Sequence, residues 1–208
     1  MDKQKSWNHE IDFHCTFGVW PFRKSLDIHP SGFVWCGELI PLRSITRVRW
    51  GYDQVRGGVF PKRVGVATFG TADREFTIRT KQKDFYDILT NKYWRALGRR
   101  LLSSMFDTLK RGERIVFTDE LAVEDKGIIV RKKQMFGSAP EASYIWEDIG
   151  WAVVNGTLCF VPLSEPDNIL AGASFIWSDN LHVLDVALSM LGQSEDKRRL
   201  SACASMQD

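Results

Sequence analysis

The strongest constraint on this chain is an internal repeat. The segment "LDIHPSGFVW", Leu26 to Trp35, lies over "LAVEDKGIIV", Leu121 to Val130, without a gap. Leu26 falls on Leu121, Ile28 on Val123, Gly32 on Gly127, and Phe33-Val34-Trp35 on Ile128-Ile129-Val130. Each copy reads as a short alternating strand, a polar turn ending in Gly, and a second apolar strand. At that point Gly32 and Gly127 are expected in the left-handed backbone region that closes a hairpin loop. A self-similar sequence cannot be read as one continuous sheet without first testing for two structural units.

Beyond each hairpin the same order of segments recurs. The first half continues through "LIPLRSITRVRWG", a strand "RVGVATF", a turn "GTAD", a strand "REFTIRT" and a helical run. The second continues through "YIWEDIGWAVVNG", "TLCFVPL", "SEPDN", "GASFIWS" and another helical run. Val64 and Val66, then Phe76 and Ile78, alternate as half-buried strands do. Upstream, Ile11, Phe13, Cys15, Phe17 and Val19 alternate before the first copy, as Ile115 and Phe117 do before the second. Asn155-Gly156 between apolar runs predicts a two-residue hairpin turn.

The first helical run, Asp84 towards Lys110, carries Phe85, Ile88, Leu89, Tyr93, Leu97, Leu101, Met105 and Leu109 at three- and four-residue steps, with Gly98 as a bend. Its first half is expected to cover the first unit and its second half to lead into the next. The second run is expected to start at an Asp179 cap and to stop at Gly192. The tail from Ser194 lacks an apolar period and is expected to be loose. These elements give residues 1–111 as a first domain with a long C-terminal helix, 112–193 as a second, and 194–208 as a flexible tail. The fold class expected is mainly β with α: two barrels or sandwiches, each of about six to seven antiparallel strands and one closing helix.

The pattern of a strand, a Gly turn, a strand and then an "I-P-W-x-D-I" element resembles tandem bacterial pleckstrin-homology-like (PH-like), GRAM-like domains. Ile40-Pro41-Leu42-Arg43-Ser44-Ile45 carries it in the first copy, with Leu in the Trp place. Tyr144-Ile145-Trp146-Glu147-Asp148-Ile149 carries it in the second, with Ile in the Pro place. The resemblance covers roughly residues 11–192 and implies a small barrel-like sandwich plugged by a helix. That superfold hosts lipid binding, peptide binding and scaffolding, so function must come from the sites. Neither "HPSG" nor "EDKG" has the density of basic residues that phosphoinositide recognition would require.

The chemistry of the chain points to adhesion. His9, His14, His29 and His182 are not spaced with Cys or carboxylates as metal ligands, and no nucleophile elbow, phosphate loop or zinc-protease motif occurs. No enzyme, metal or cofactor is expected. Glu147-Asp148 is assigned to a turn in which Asp fixes backbone groups. Cys15, Cys36, Cys159 and Cys203 are scattered, as reduced thiols would be. The first residues lack the apolar core of a secretory signal. A cytoplasmic protein is therefore expected, with peripheral attachment to the inner face of the membrane left open.

Candidate contacts lie where the copies differ. The first has "GYDQVRGGVFPKR" where the second has only Asn155-Gly156, and the second has "RKKQMFGSAPEAS" where the first has a short turn near Gly37. Both insertions set cations beside bulky apolar residues: Arg56, Lys62 and Arg63 with Val59 and Phe60; Arg131, Lys132 and Lys133 with Met135 and Phe136. Such a surface suits the apolar centre and charged rim of a protein interface, or weak attachment to an anionic membrane. Arg43, Arg47 and Arg49 form a further basic group, which beside Trp50 would also suit nucleic acid. Charge divides with the repeat: residues 1–111 carry 20 Lys/Arg against 11 Asp/Glu, and residues 112–208 carry 8 against 15. Opposed halves attract one another or leave the basic half for an anionic partner. A protein partner is the leading expectation, an anionic membrane the second, and nucleic acid the weakest.

Overall fold

A computed structural model of the 208-residue chain describes residues 12–17, 23–55, 62–131 and 140–207. It separates into two compact units, Met1–Arg100 and Leu101–Asp208. The dividing line falls inside one helix, α1 (Lys83–Lys110). Among the described residues the strands form four antiparallel sheets, two in each unit, and no closed barrel.

In the first unit, β1 (Phe13–Phe17), β2 (Lys24–His29), β3 (Gly32–Trp35) and β4 (Glu38–Pro41) make a four-stranded meander. A 3-10 turn, Leu42–Ser44, then delivers the chain to a three-stranded meander of β5 (Arg47–Val55), β6 (Lys62–Gly70) and β7 (Glu75–Thr80). The second unit repeats this order. β8 (Ile115–Thr118), β9 (Leu121–Glu124), β10 (Gly127–Arg131) and β11 (Glu141–Ile145) form its four-stranded sheet. A 3-10 turn at Trp146–Asp148 leads into β12 (Ile149–Val154), β13 (Thr157–Pro162) and β14 (Ala171–Ser174), and then into α2 (Leu181–Gln193).

The repeat holds residue by residue. Leu26 pairs with Trp35 and Ile28 with Phe33, while Leu121 pairs with Val130 and Val123 with Ile128. Gly32 then faces Pro41 across β3 and β4, as Gly127 faces Ile145 across β10 and β11. Ile45 and Ile149, directly after the two 3-10 turns, are both buried. A register shift of one residue would turn every core side chain to water, so identical register means an identical inside and outside.

Gly32 and Gly127 do not serve as expected. Neither has a positive φ; both sit in extended strands. A Cβ on Gly32 would meet the Ile40 carbonyl oxygen at 2.5 Å, and one on Gly127 the Tyr144 carbonyl oxygen at 1.9 Å. Close approach of backbone to backbone demands glycine here. Among the hairpin turns, positive φ values belong instead to Cys36-Gly37, the turn joining β3 to β4, and to Asn155-Gly156, the expected turn joining β12 to β13.

The first unit closes on aromatic rings. Phe33 of β3 meets Phe69 of β6 edge-on at 4.8 Å and stacks on Tyr93 of α1 at 5.3 Å, so both sheets and the helix share one centre. Strand β6 is buried from Val64 to Gly70 rather than on one face only; Gly65 and Phe69 share the face turned to the helix and the aromatic centre. Gly65 leaves room there for Tyr86 of α1, whose ring a Cβ would meet at 2.4 Å. Arg100 of α1 donates a hydrogen bond to the Ile45 carbonyl, tying the helix to the junction between the sheets. Gly98 accommodates the Trp94 ring, which a Cβ would meet at 2.7 Å.

The second unit is closed by aliphatic residues. Leu181, Val183, Leu184, Ala187, Leu188 and Leu191 of α2 are buried, as are Leu121, Val123, Ile128, Leu158 and Phe160. Four expectations fail in this half. Asn180, in the left-handed region, caps α2 in place of Asp179, and the helix runs through Gly192 to Gln193. Strand β14 ends at Ser174, because the Trp177 and Ser178 amides bond back to the Ser174 carbonyl and turn the chain towards α2. The tail is packed: Leu200–Gln207 is a 3-10 helix in which Leu200 and Cys203 are fully buried.

Two measurements check this account. Gly127→Ala should lose at least about 2 kcal/mol in a denaturant titration, since the new methyl must displace backbone. Gly37→Ala, with nothing within 4 Å of its added Cβ, should lose only about 1 kcal/mol. Burial raises the pKa of the Asp185 carboxyl on α2. The folded state therefore holds that proton more tightly than the unfolded chain, and stability is lost as pH rises from the ordinary carboxylate range through the raised value. Asp185→Asn should raise the melting temperature at neutral pH and leave it unchanged in acid; an equal gain at both would refute this origin.

Candidate functional site

The two insertions extend different hairpins. In the first unit β5 and β6 pair from Arg47–Gly70 out to Val55–Lys62, nine residues on each strand, whereas β12 and β13 pair over six. The outer part of this arm carries exposed Tyr52, Gln54, Val55, Lys62 and Arg63. Its base is fixed: Tyr52 packs on Tyr86 at 4.6 Å, and Arg79 bonds Asp53 at 3.2 Å. Arg56, Val59 and Phe60 lie outside the described residues.

In the second unit the insertion lies between β10 and β11. Its described member, Arg131, faces Glu141 across the strands and bonds it at 2.5 Å. Arg114 joins both Glu141 and Glu124 at 3.3 Å, so Arg131 belongs to a charge network on the sheet. Its two arginines hold the Glu141 carboxyl below the usual carboxylate range, chiefly through the Arg131 hydrogen bond. Lys132, Lys133, Met135 and Phe136 lie outside the described residues.

The basic group of β5 divides. Arg47 donates to the Thr71 carbonyl at 3.1 and 2.7 Å, and Arg49 pairs with Glu75 at 2.5 Å. Both fasten the three-stranded sheet, while Arg43 stands exposed on the 3-10 turn.

One concavity among the described residues was not legible in the sequence. It is a cleft of about 450 Å³ in the second unit, lined by Lys126, Ile145, Trp146, Glu147, Asp196, Arg198 and Arg199. Three separate segments make its walls: the β9–β10 turn, the 3-10 turn after β11, and the chain beyond α2. Asp125 joins them. Its carbonyl accepts the Trp146 indole N–H and the Leu200 amide N–H, both at 2.8 Å, and its carboxylate accepts the Ser201 amide N–H at 2.9 Å. The Trp146 amide bonds the Lys126 carbonyl at 3.1 Å. The Asp148 side chain, expected to fix backbone groups, does not cap its turn; the Asp148 carbonyl instead accepts the Leu163 amide at 2.8 Å.

The cleft is frame-built and polar at its mouth. Asp196 accepts from both the amide and the guanidinium of Arg198, which lowers its carboxyl pKa. Among the described residues Lys126 and Arg199 form no ion pair. No group of His, Cys, Asp and Glu able to hold a metal occurs among the described residues. The four cysteines are free, and burial lifts the Cys15 thiol to about 11. No described helix is long and apolar enough to cross a membrane.

Comparison with protein-family models, curated proteins and solved structures gave no match. The cleft and the hairpin arm are therefore read from their own chemistry.

If Asp125 holds the third wall, Asp125→Ala frees the Ser201 amide at a cost of about 1–2 kcal/mol. Buried Cys203 should then react with a maleimide reagent, followed residue by residue by mass spectrometry, while exposed Cys36 reacts as before. An unreactive Cys203 would show that the segment is held by its apolar contacts alone.

Proposed function

We propose that this chain is a non-catalytic tandem PH-like module that docks on a partner protein as an accessory or scaffold subunit. Each unit has a four-stranded meander, a three-stranded meander and a helix in that order, which supports the pleckstrin-homology-like reading. One observation carries the functional reading. The copies share hairpin register while their insertions fall on surface: a longer β5–β6 arm in one, a cleft and a longer β10–β11 connection in the other. Two units kept alike in strand register and given different surface extensions suit a module that presents separate contact surfaces.

The described arm residues favour a protein partner over nucleic acid. Arg47 and Arg49 are engaged by Thr71 and Glu75, whereas Val55, Lys62 and Arg63 combine apolar and charged surface at the arm's outer end. Such a mixture suits an interface rim beside its apolar centre. The same mixture would attach weakly to anionic lipid, and the test separates the two.

A photo-crosslinking residue in place of Val55 should give a discrete, saturable adduct in extract of the source cell. One in place of Val154, on the shorter hairpin of the second unit, should not. Lys62→Glu/Arg63→Glu should abolish the Val55 adduct. No adduct, together with salt-sensitive sedimentation on phosphatidylserine vesicles, would replace the docking reading with the membrane one.

A further inference from the structure

We infer that the Asp125-framed cleft is a peptide site, and that it takes an extended acidic segment carrying an apolar residue beside its carboxylates. This deepens the docking reading and rests on it. The first argument is charge. The second unit holds 10 Lys/Arg against 16 Asp/Glu, yet Lys126, Arg198 and Arg199 gather at one cleft. Elsewhere in the unit the arginines are engaged by carboxylates: Arg111 by Glu113, Arg114 by Glu124 and Glu141, and Arg131 by Glu141. At the cleft only Arg198 is so engaged, by Asp196. Lys126 and Arg199 are exposed and form no ion pair among the described residues, although Arg199 lies near enough to Asp196 to help lower its carboxyl pKa.

The second argument is composition. Ile145 is about half exposed (47%) at the cleft, and Trp146 behind it is 2% exposed and held by two hydrogen bonds. An inorganic anion would use the cations and leave Ile145 in water; a peptide with alternating acidic and apolar residues uses both. At about 450 Å³ the cleft takes a few residues, within the ordinary range of ligand sites. Glu147 on the same wall sets the polarity of the occupant, because a carboxylate placed opposite it is repelled.

The third argument is preorganisation. Asp125 fixes the three walls through backbone bonds before any ligand arrives, so little ordering accompanies binding. The corresponding positions of the first unit are Pro30, Ser31 and Leu42, which supply neither the carboxylate nor the indole N–H.

The probe is a fluorescein-labelled peptide of alternating Glu and Leu, read by fluorescence anisotropy on the intact chain. It should bind saturably, and raised salt should weaken it. Lys126→Glu/Arg199→Glu should weaken it by about tenfold or more, and Glu147→Gln should tighten it. Lys126 and Arg199 are exposed, so the folded state should tolerate both changes. A peptide of alternating Gln and Leu should not bind, and inorganic phosphate should not compete at equal concentration. No binding, equal binding by the double variant, or full competition by phosphate would each overturn the peptide site. The Val55 crosslink is unaffected by these outcomes, so the cleft can fail while docking through the arm stands.

Discussion

The fold depends on how closely one backbone strand lies against the next at Gly32 and Gly127. With a carbonyl oxygen 2.5 or 1.9 Å from where a Cβ would stand, no other residue fits without moving the neighbouring strand. That approach fixes where β4 and β11 run, and so where each 3-10 turn begins. The turn is the stretch of chain that joins the four-stranded and three-stranded sheets of a unit. It ends on Ile45 or Ile149, both buried, and hands the next strand its register. A single missing methyl therefore precedes the junction, and the junction sets which side chains face inward.

Given that frame, the copies fill their interiors differently. The first uses large rings, with Phe33, Phe69 and Tyr93 mutually in contact and Trp35 and Phe76 at their flank. The second uses smaller aliphatic groups, and the short α2 supplies six buried ones. Cores tolerate such exchange provided volume and pattern are kept. Tyr93 marks a cost of the aromatic solution: it is fully buried, and its hydroxyl has no hydrogen-bond partner among the described residues. Burial accordingly drives its pKa far above the ordinary tyrosine range.

The sequence carried most of the fold because its signals were local. The ten-residue overlap predicted equivalent hairpins, and Leu26–Trp35 and Leu121–Val130 pair identically. Asn155-Gly156 named its turn, and the apolar stripe from Phe85 to Leu109 named a helix that runs Lys83–Lys110. The readings that failed depend on what lies opposite. Gly32 looks like a turn glycine until the Ile40 carbonyl is placed against it, and Val64–Gly70 alternates in sequence although both its faces are covered. The tail shows no period because only a few of its residues, Leu200 and Cys203 among them, enter the core. Nor does any spacing announce the cleft, since Asp125 and Ser201 stand 76 residues apart and much of their bonding uses backbone atoms.

Why such a cleft arises in one copy is explained by the chain's course. After Arg100 the chain continues as helix through α1 to Lys110. After α2 it leaves the helix at Ser194, whose amide bonds the Met190 and Leu191 carbonyls, and lays Leu200–Gln207 beside Asp125. The β9–β10 turn can receive it because Asp125 offers both a carbonyl and a carboxylate, where Pro30 at the matching position offers a carbonyl alone. Trp146, in the place of Leu42, adds the indole N–H that locks the opposite wall. The substitutions that distinguish the copies thus act together: the indole and the returning segment share the Asp125 carbonyl, and the Asp125 carboxylate adds the bond to the Ser201 amide.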